Sequence, residues 1–130
     1  MSQWFGYGLA VMAGGALGCL CRYVLIEIFY LLFGRGFPWG TLSANVLGSF
    51  LIGFIIILIT HILGLSEFWR LFLIVGFLGG FTTFSSFSLD AITLFQNELW
   101  GKALVYIFSS CLLSLLATIL GIYLAKKLGA

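Results

Sequence analysis

Three groups of residues carry chemical potential. The first is Gly79-Gly80-Phe81-Thr82-Thr83-Phe84-Ser85-Ser86-Phe87-Ser88, five hydroxyl side chains interleaved with three phenylalanines. The second is Thr41, Asn45 and Gly48, which helical spacing places on one face. The third is Tyr106, Ser110 and Ser114, spaced four and four, with Thr118 continuing the series. All are neutral hydrogen-bonding groups or aromatic rings. An amide offers two N–H donors, and an aromatic ring has a positive edge. Phe84 and Phe87, three apart, project from one helical face, with Thr83 and Ser86 as a polar lane beside them. Such a set can replace the water around a small, hard anion. A fixed positive charge would trap that ion, whereas neutral donors let it leave. These residues reach an anion pathway without selecting the anion.

Catalysis has little to work with. The chain holds no Ser/His/Asp set, no paired carboxylates and no metal-ligand cluster. His61 stands alone at the end of an apolar run, and Cys19, Cys21 and Cys111 lie in apolar runs and read as small hydrophobes. The expectation is a protein that is not an enzyme. A net charge of +2, with Lys126-Lys127 as the sole basic pair, gives no footprint for nucleic acid.

The elements that must position these residues follow from hydropathy. Of 130 residues 62% are hydrophobic and 8% charged, more apolar surface than a water-soluble domain of this size can cover. Breaks near 34–37, 64–67 and 96–101 divide the chain into apolar segments at about 4–33, 39–62, 68–95 and 99–124. Each exceeds the ~20 residues of a membrane helix. Trp4, Trp39, Trp69 and Trp100 stand near the segment starts, where an interfacial belt belongs, and Pro38 opens the second. The fold expected is an all-α membrane protein: one four-helix domain over residues 1–130, embedded in a lipid bilayer. The N-terminus lacks a basic region before its apolar run and reads as a first span, not a cleaved signal.

Each segment has features that lipid alone does not ask for. Gly14-Gly15-Ala16-Leu17-Gly18 in the first suits close helix packing. Arg22, one turn on, is costly unless it faces water, a carboxylate or helix-end carbonyls; it either snorkels or lines an aqueous vestibule that attracts anions. Asn45 is either glue between helices or a donor to an anion, with Gly48 leaving room for the ion. Gly76, Gly79, Gly80, Thr82 and Thr83 invite an interruption of the third helix. Its carbonyls would need satisfying, by hydroxyls and a neighbouring helix or by a coordinated cation. Orientation is ambiguous. Arg70, Lys126 and Lys127 fall on one side, Arg35 and Lys102 on the other, with Arg22 toward the latter. The positive-inside rule gives almost no direction, and insertion both ways, with pairing as an antiparallel dimer, is one outcome.

With these blocks in order on a four-span chain, the sequence resembles the Fluc (CrcB) family of bacterial fluoride channels over nearly its whole length. The resemblance rests on Gly14-Gly15 through Gly18 to Arg22-Tyr23, on Gly40-Thr41 through Asn45 to Gly48-Ser49-Phe50, and on Gly76 through Ser88. It implies a dual-topology antiparallel homodimer with a broken third helix and two pores, each lined by both subunits. It implies passive, selective fluoride export across the bacterial cytoplasmic membrane, protecting the cell from fluoride. Carried over by position, Asn45, Phe84 and Phe87 match pore residues, with Thr41, Thr83 and Ser86 beside them. Tyr106, Ser110 and Ser114 match the polar track, and Arg22 a vestibule arginine. Gly79 and Thr82 match the residues whose backbone carbonyls hold a structural Na+ on the dimer axis. Two departures appear: Ser86 where threonine is frequent, and Asp90 where glutamate is common. A small multidrug-type transporter would instead need a glutamate deep in the first span, where this chain has 14–18, rich in glycine, and Glu27 only late. A non-transporting assembly subunit would explain the glycine faces but not the polar ones.

Overall fold

The computed structural model describes residues 2–129. Four long apolar helices account for nearly all of them: α1 (Ser2–Phe33), α2 (Trp39–Ile62), α3 (Glu67–Gln96) and α4 (Trp100–Gly129). α4 continues past Leu124 to Gly129 because nothing between them breaks a helix. Short turns join the helices. Gly34 and Gly64 take the left-handed conformation at two of them, with φ of +75° and +58°, which costs glycine little. In the most apolar window of α1 only 6% of residues are buried within the chain. The outer faces are made for lipid or for another protein surface.

Packing is organised by glycines meeting backbone. A Cβ added at Gly76 would lie 2.8 Å from the Val11 carbonyl oxygen, and one at Gly80 2.6 Å from that of Gly15. At Gly14 and Gly18 it would overlap the carbonyls of Phe72 and Phe77. Gly14 and Gly18 are four apart, yet the carbonyls they meet are five apart. The match arises because Leu71–Leu78 is wound as a π-helix, whose wider turn brings fifth residues into line. α2 and α4 form a second seam, in which Gly53 faces the Thr118 carbonyl and Gly121 that of Phe50. A small core of Leu42, Ala91, Leu94, Ala103 and Tyr106 joins α2, the end of α3 and α4.

The glycines of α3 do not interrupt it. Gly79–Phe81 is helical, and the extended residues are Thr82 (φ −88°, ψ 161°) and Thr83 (φ −155°, ψ 126°), after which the helix resumes over Phe84–Gln96. The sequence offers Gly76, Gly79, Gly80, Thr82 and Thr83 for the interruption, and the structure takes the threonines. It falls past the glycines because Gly76 and Gly80 are held in helix by their contact with α1, whereas side chains meet the backbone at the threonines.

Candidate functional site

Around the extended pair Thr82-Thr83 every backbone partner comes from a side chain or a nearby turn. Asn45 on α2 grips Thr83 twice: its Nδ2 donates to the Thr83 carbonyl at 2.9 Å, and its Oδ1 accepts the Thr83 N–H at 2.8 Å. A primary amide is the complement of a peptide unit, which makes this bidentate pairing possible. In a continuous helix the Thr83 N–H would instead go to the Gly79 carbonyl. From α1, Arg22 Nε donates to the Gly80 carbonyl at 3.0 Å. The Thr82 N–H and hydroxyl both donate to the Leu78 carbonyl, each at 3.0 Å. Thr83 then caps the resumed helix, its Oγ1 accepting the Ser86 N–H at 3.1 Å, as a threonine N-cap does.

Beside this junction a cavity of about 470 Å³ opens between α2, α3 and α4. Its polar lining comes from Asn45, Ser49, Thr82, Thr83, Ser110 and Ser114, and its aromatic lining from Phe84 and Phe87. The two rings stand edge to face, centroids 5.5 Å apart. Among the described residues no charged side chain lines the cavity. The Ser110 hydroxyl is buried and has no hydrogen-bond partner among them. A buried hydroxyl left unpaired is expensive, so a cavity ligand with a lone pair to offer it would relieve a standing cost.

The sequence-derived set is divided by the structure. Asn45, Gly79, Thr82, Thr83, Phe84, Phe87, Ser110 and Ser114 are brought together on the cavity. Thr41, Ser86, Tyr106 and Arg22 do not line it. Thr41 is buried at the start of α2, and the Ser86 N–H is tied to the cap. Tyr106 is fully buried and donates its hydroxyl to Asp90 Oδ2 at 3.1 Å. Phe87 lies against it, ring centroids 5.2 Å apart, and of the three only Phe87 lines the cavity. Arg22 takes the third of its sequence-stated options, a helix-end carbonyl.

Two readings change. Asn45 spends one N–H and its oxygen on Thr83, leaving one N–H rather than two for a ligand. The room beside Gly48 is filled by the Thr82 methyl, which a Cβ there would overlap. The Tyr106–Asp90 bond and the Asn45 grip escaped sequence reasoning. The usable signal for the grip was an amide in one span facing consecutive threonines in another. Thr118 does not extend the polar series, since its hydroxyl is held between the Ser49 and Ser114 carbonyls at 3.0 and 3.2 Å. No group of three or more His, Cys, Asp or Glu among the described residues could hold a metal.

A family profile described as CrcB-like protein, Camphor Resistance (CrcB), matches residues 9–122. Among curated relatives, a fluoride-specific ion channel FluC of Magnetococcus marinus is 47% identical over 116 residues, covering 89% of this chain and 94% of the relative. One of Agrobacterium fabrum is 47% identical over 118 residues, 91% and 94% of the two chains. One of Rhizobium meliloti is 49% identical over 120 residues, 92% and 96%.

Proposed function

The chain belongs to the CrcB family and is a multi-pass membrane protein, and on that premise we propose that it is a fluoride channel. The family is one of ion channels, not of enzymes. In this reading the protein passes fluoride passively and selectively out of the cytoplasm, across the bacterial cytoplasmic membrane. Two copies pair antiparallel, and each of two pores takes walls from both.

The observation that carries the reading is the unpartnered Ser110 hydroxyl, buried on a cavity that also presents the remaining Asn45 N–H and the rings of Phe84 and Phe87. Fluoride is small and strongly hydrated, and it must exchange water for protein donors without being held. Neutral O–H and N–H groups and the positive edges of rings supply that exchange. Ser114 continues the donors along α4 from Ser110. Thr41, Ser86 and Tyr106 stand behind this wall, and Arg22 marks the mouth from α1. The cavity is open on one side, and the second copy closes it.

Pairing in opposite orientations agrees with the balance of Arg70, Lys126 and Lys127 against Arg35 and Lys102. A structural Na+ between the copies agrees with the backbone at the junction. The Gly79 carbonyl is relieved of its helical donor and Thr82 is extended, and hard cations favour such oxygens. One chain offers too few of them, and the matching carbonyls of a second copy complete the set. When bound, the cation would neutralise carbonyl dipoles at the centre of the membrane.

Purified protein in proteoliposomes, with fluoride efflux followed by electrode under an ionophore shunt, tests the channel. Efflux well above protein-free vesicles is expected. A rate equal to that of empty vesicles would end the reading.

A further inference from the structure

We propose that Asn45 is a positioning residue that couples the anion wall to the cation carbonyls, beyond any contact its free N–H makes with the ion. This rests on the channel and sodium reading above. The coupling lies in one hydrogen atom. The Thr83 N–H is the donor that would close the helix onto the Gly79 carbonyl, and Asn45 Oδ1 holds it at 2.8 Å instead. The same amide fixes the Thr83 carbonyl at 2.9 Å. Thr83 in turn caps the helix that carries Phe84 and Phe87. Asn45 therefore keeps the Gly79 carbonyl free on one side of the junction and sets the start of the ring-bearing helix on the other. Arg22 works beside it, occupying the Gly80 carbonyl, so that of two neighbouring carbonyls the one at Gly79 is left for a cation.

Asn45 differs here from an ordinary anion ligand, which would affect fluoride alone. In Asn45→Ala the Thr83 N–H loses its acceptor and returns to the Gly79 carbonyl, since a buried donor without a partner is costly. In Asn45→Asp one oxygen still accepts the Thr83 N–H, so the Gly79 carbonyl stays free, while the other replaces the Nδ2 donor to the Thr83 carbonyl and its negative charge opposes an anion.

The experiment measures dimer stability in detergent across a sodium titration against a large organic cation, with fluoride efflux of the same preparations. Wild type should be protected by sodium. Asn45→Ala should lose efflux and need at least about tenfold more sodium for equal protection. Asn45→Asp should lose efflux but keep wild-type sodium protection. Wild-type sodium protection in Asn45→Ala would overturn the proposal, as would a loss of protection in Asn45→Asp equal to that in Asn45→Ala. Indifference of the wild type to sodium would overturn the sodium reading itself and the coupling with it. Amide hydrogen exchange of the 79–83 segment separates a misfolded variant from a released clamp. In Asn45→Ala the Thr83 amide, back on the Gly79 carbonyl, should stay as protected as in the wild type, and faster exchange throughout the α1–α3 seam would count against the proposal.

Discussion

Upstream of Thr82 the third helix meets α1 backbone to backbone, through Gly76 and Gly80 against Val11 and Gly15. Downstream of Thr83 it lines a cavity with Phe84 and Phe87, and Phe84 is 78% exposed in the single chain. The first half spends Gly76 and Gly80 on contact with α1. The second keeps its groups uncommitted, and the space around them is the feature that matters. In the proposed channel, that difference would let one membrane helix hold both a close-packed junction and a permeable wall.

Substitution can break that contrast at its stable end. Gly18→Leu would drive a side chain into the Phe77 carbonyl, which is backbone and cannot swing away. Overpacking of this kind costs roughly 3 kcal/mol or more, and folded protein should be absent on size-exclusion chromatography. Gly101→Ala, where nothing lies within 4 Å of the added Cβ, should leave the chromatogram unchanged. Equal tolerance of both would mean that the seam is not close-packed.

The permeable end should show the opposite signature. Phe84→Ile keeps apolar bulk but removes the ring edge, and we expect efflux to fall at least about tenfold, a loss of ~1.4 kcal/mol in ion stabilisation. Dimer stability should stay within about 0.5 kcal/mol, as for surface substitutions. A stability loss with unchanged efflux would reverse the roles assigned to the two halves. Ser110→Ala sharpens the same point with a smaller effect. It removes a hydroxyl that has no partner among the described residues, so stability should hold or rise. Efflux should drop by roughly fivefold, the worth of one net hydrogen bond.

Much of this architecture is legible from the sequence, and the remainder is hidden for definable reasons. Four spans follow from apolar runs, because lipid demands length and hydropathy from every helix alike. Helical spacing gives the face that Asn45, Phe84, Phe87, Ser110 and Ser114 take within each span, and their grouping across spans rests on their shared chemistry and the family resemblance. Spacing could not tell Tyr106 from Ser110 and Ser114, although only the serines reach the cavity. A face that long passes through two environments, and at Tyr106 the neighbours are Phe37, Phe87 and Asp90. Nor could it place the interruption, since glycine signals both weak helix and close approach. Its contacts with α1 decide for close approach, and contacts between helices are what a linear pattern does not contain.

The smallest expected effect lies at the boundary between the halves. Thr83 serves the junction in two ways that a single substitution can separate. Its backbone N–H and carbonyl hold Asn45 and do not depend on its side chain. Its Oγ1 accepts the Ser86 N–H at 3.1 Å and caps the downstream helix. Thr83→Ala removes the cap alone, at a cost of about 1 kcal/mol, while the grip of Asn45 persists. Efflux should fall by no more than about twofold, because Phe84 and Phe87 remain on a helix whose first turn frays without detaching. Thr83→Ser keeps the oxygen and should restore the stability, measured as the dimer's thermal midpoint. If Thr83→Ala instead matched Asn45→Ala in efflux and sodium dependence, the side-chain cap would be what holds the junction. The boundary between the two halves would then lie one hydrogen bond further downstream.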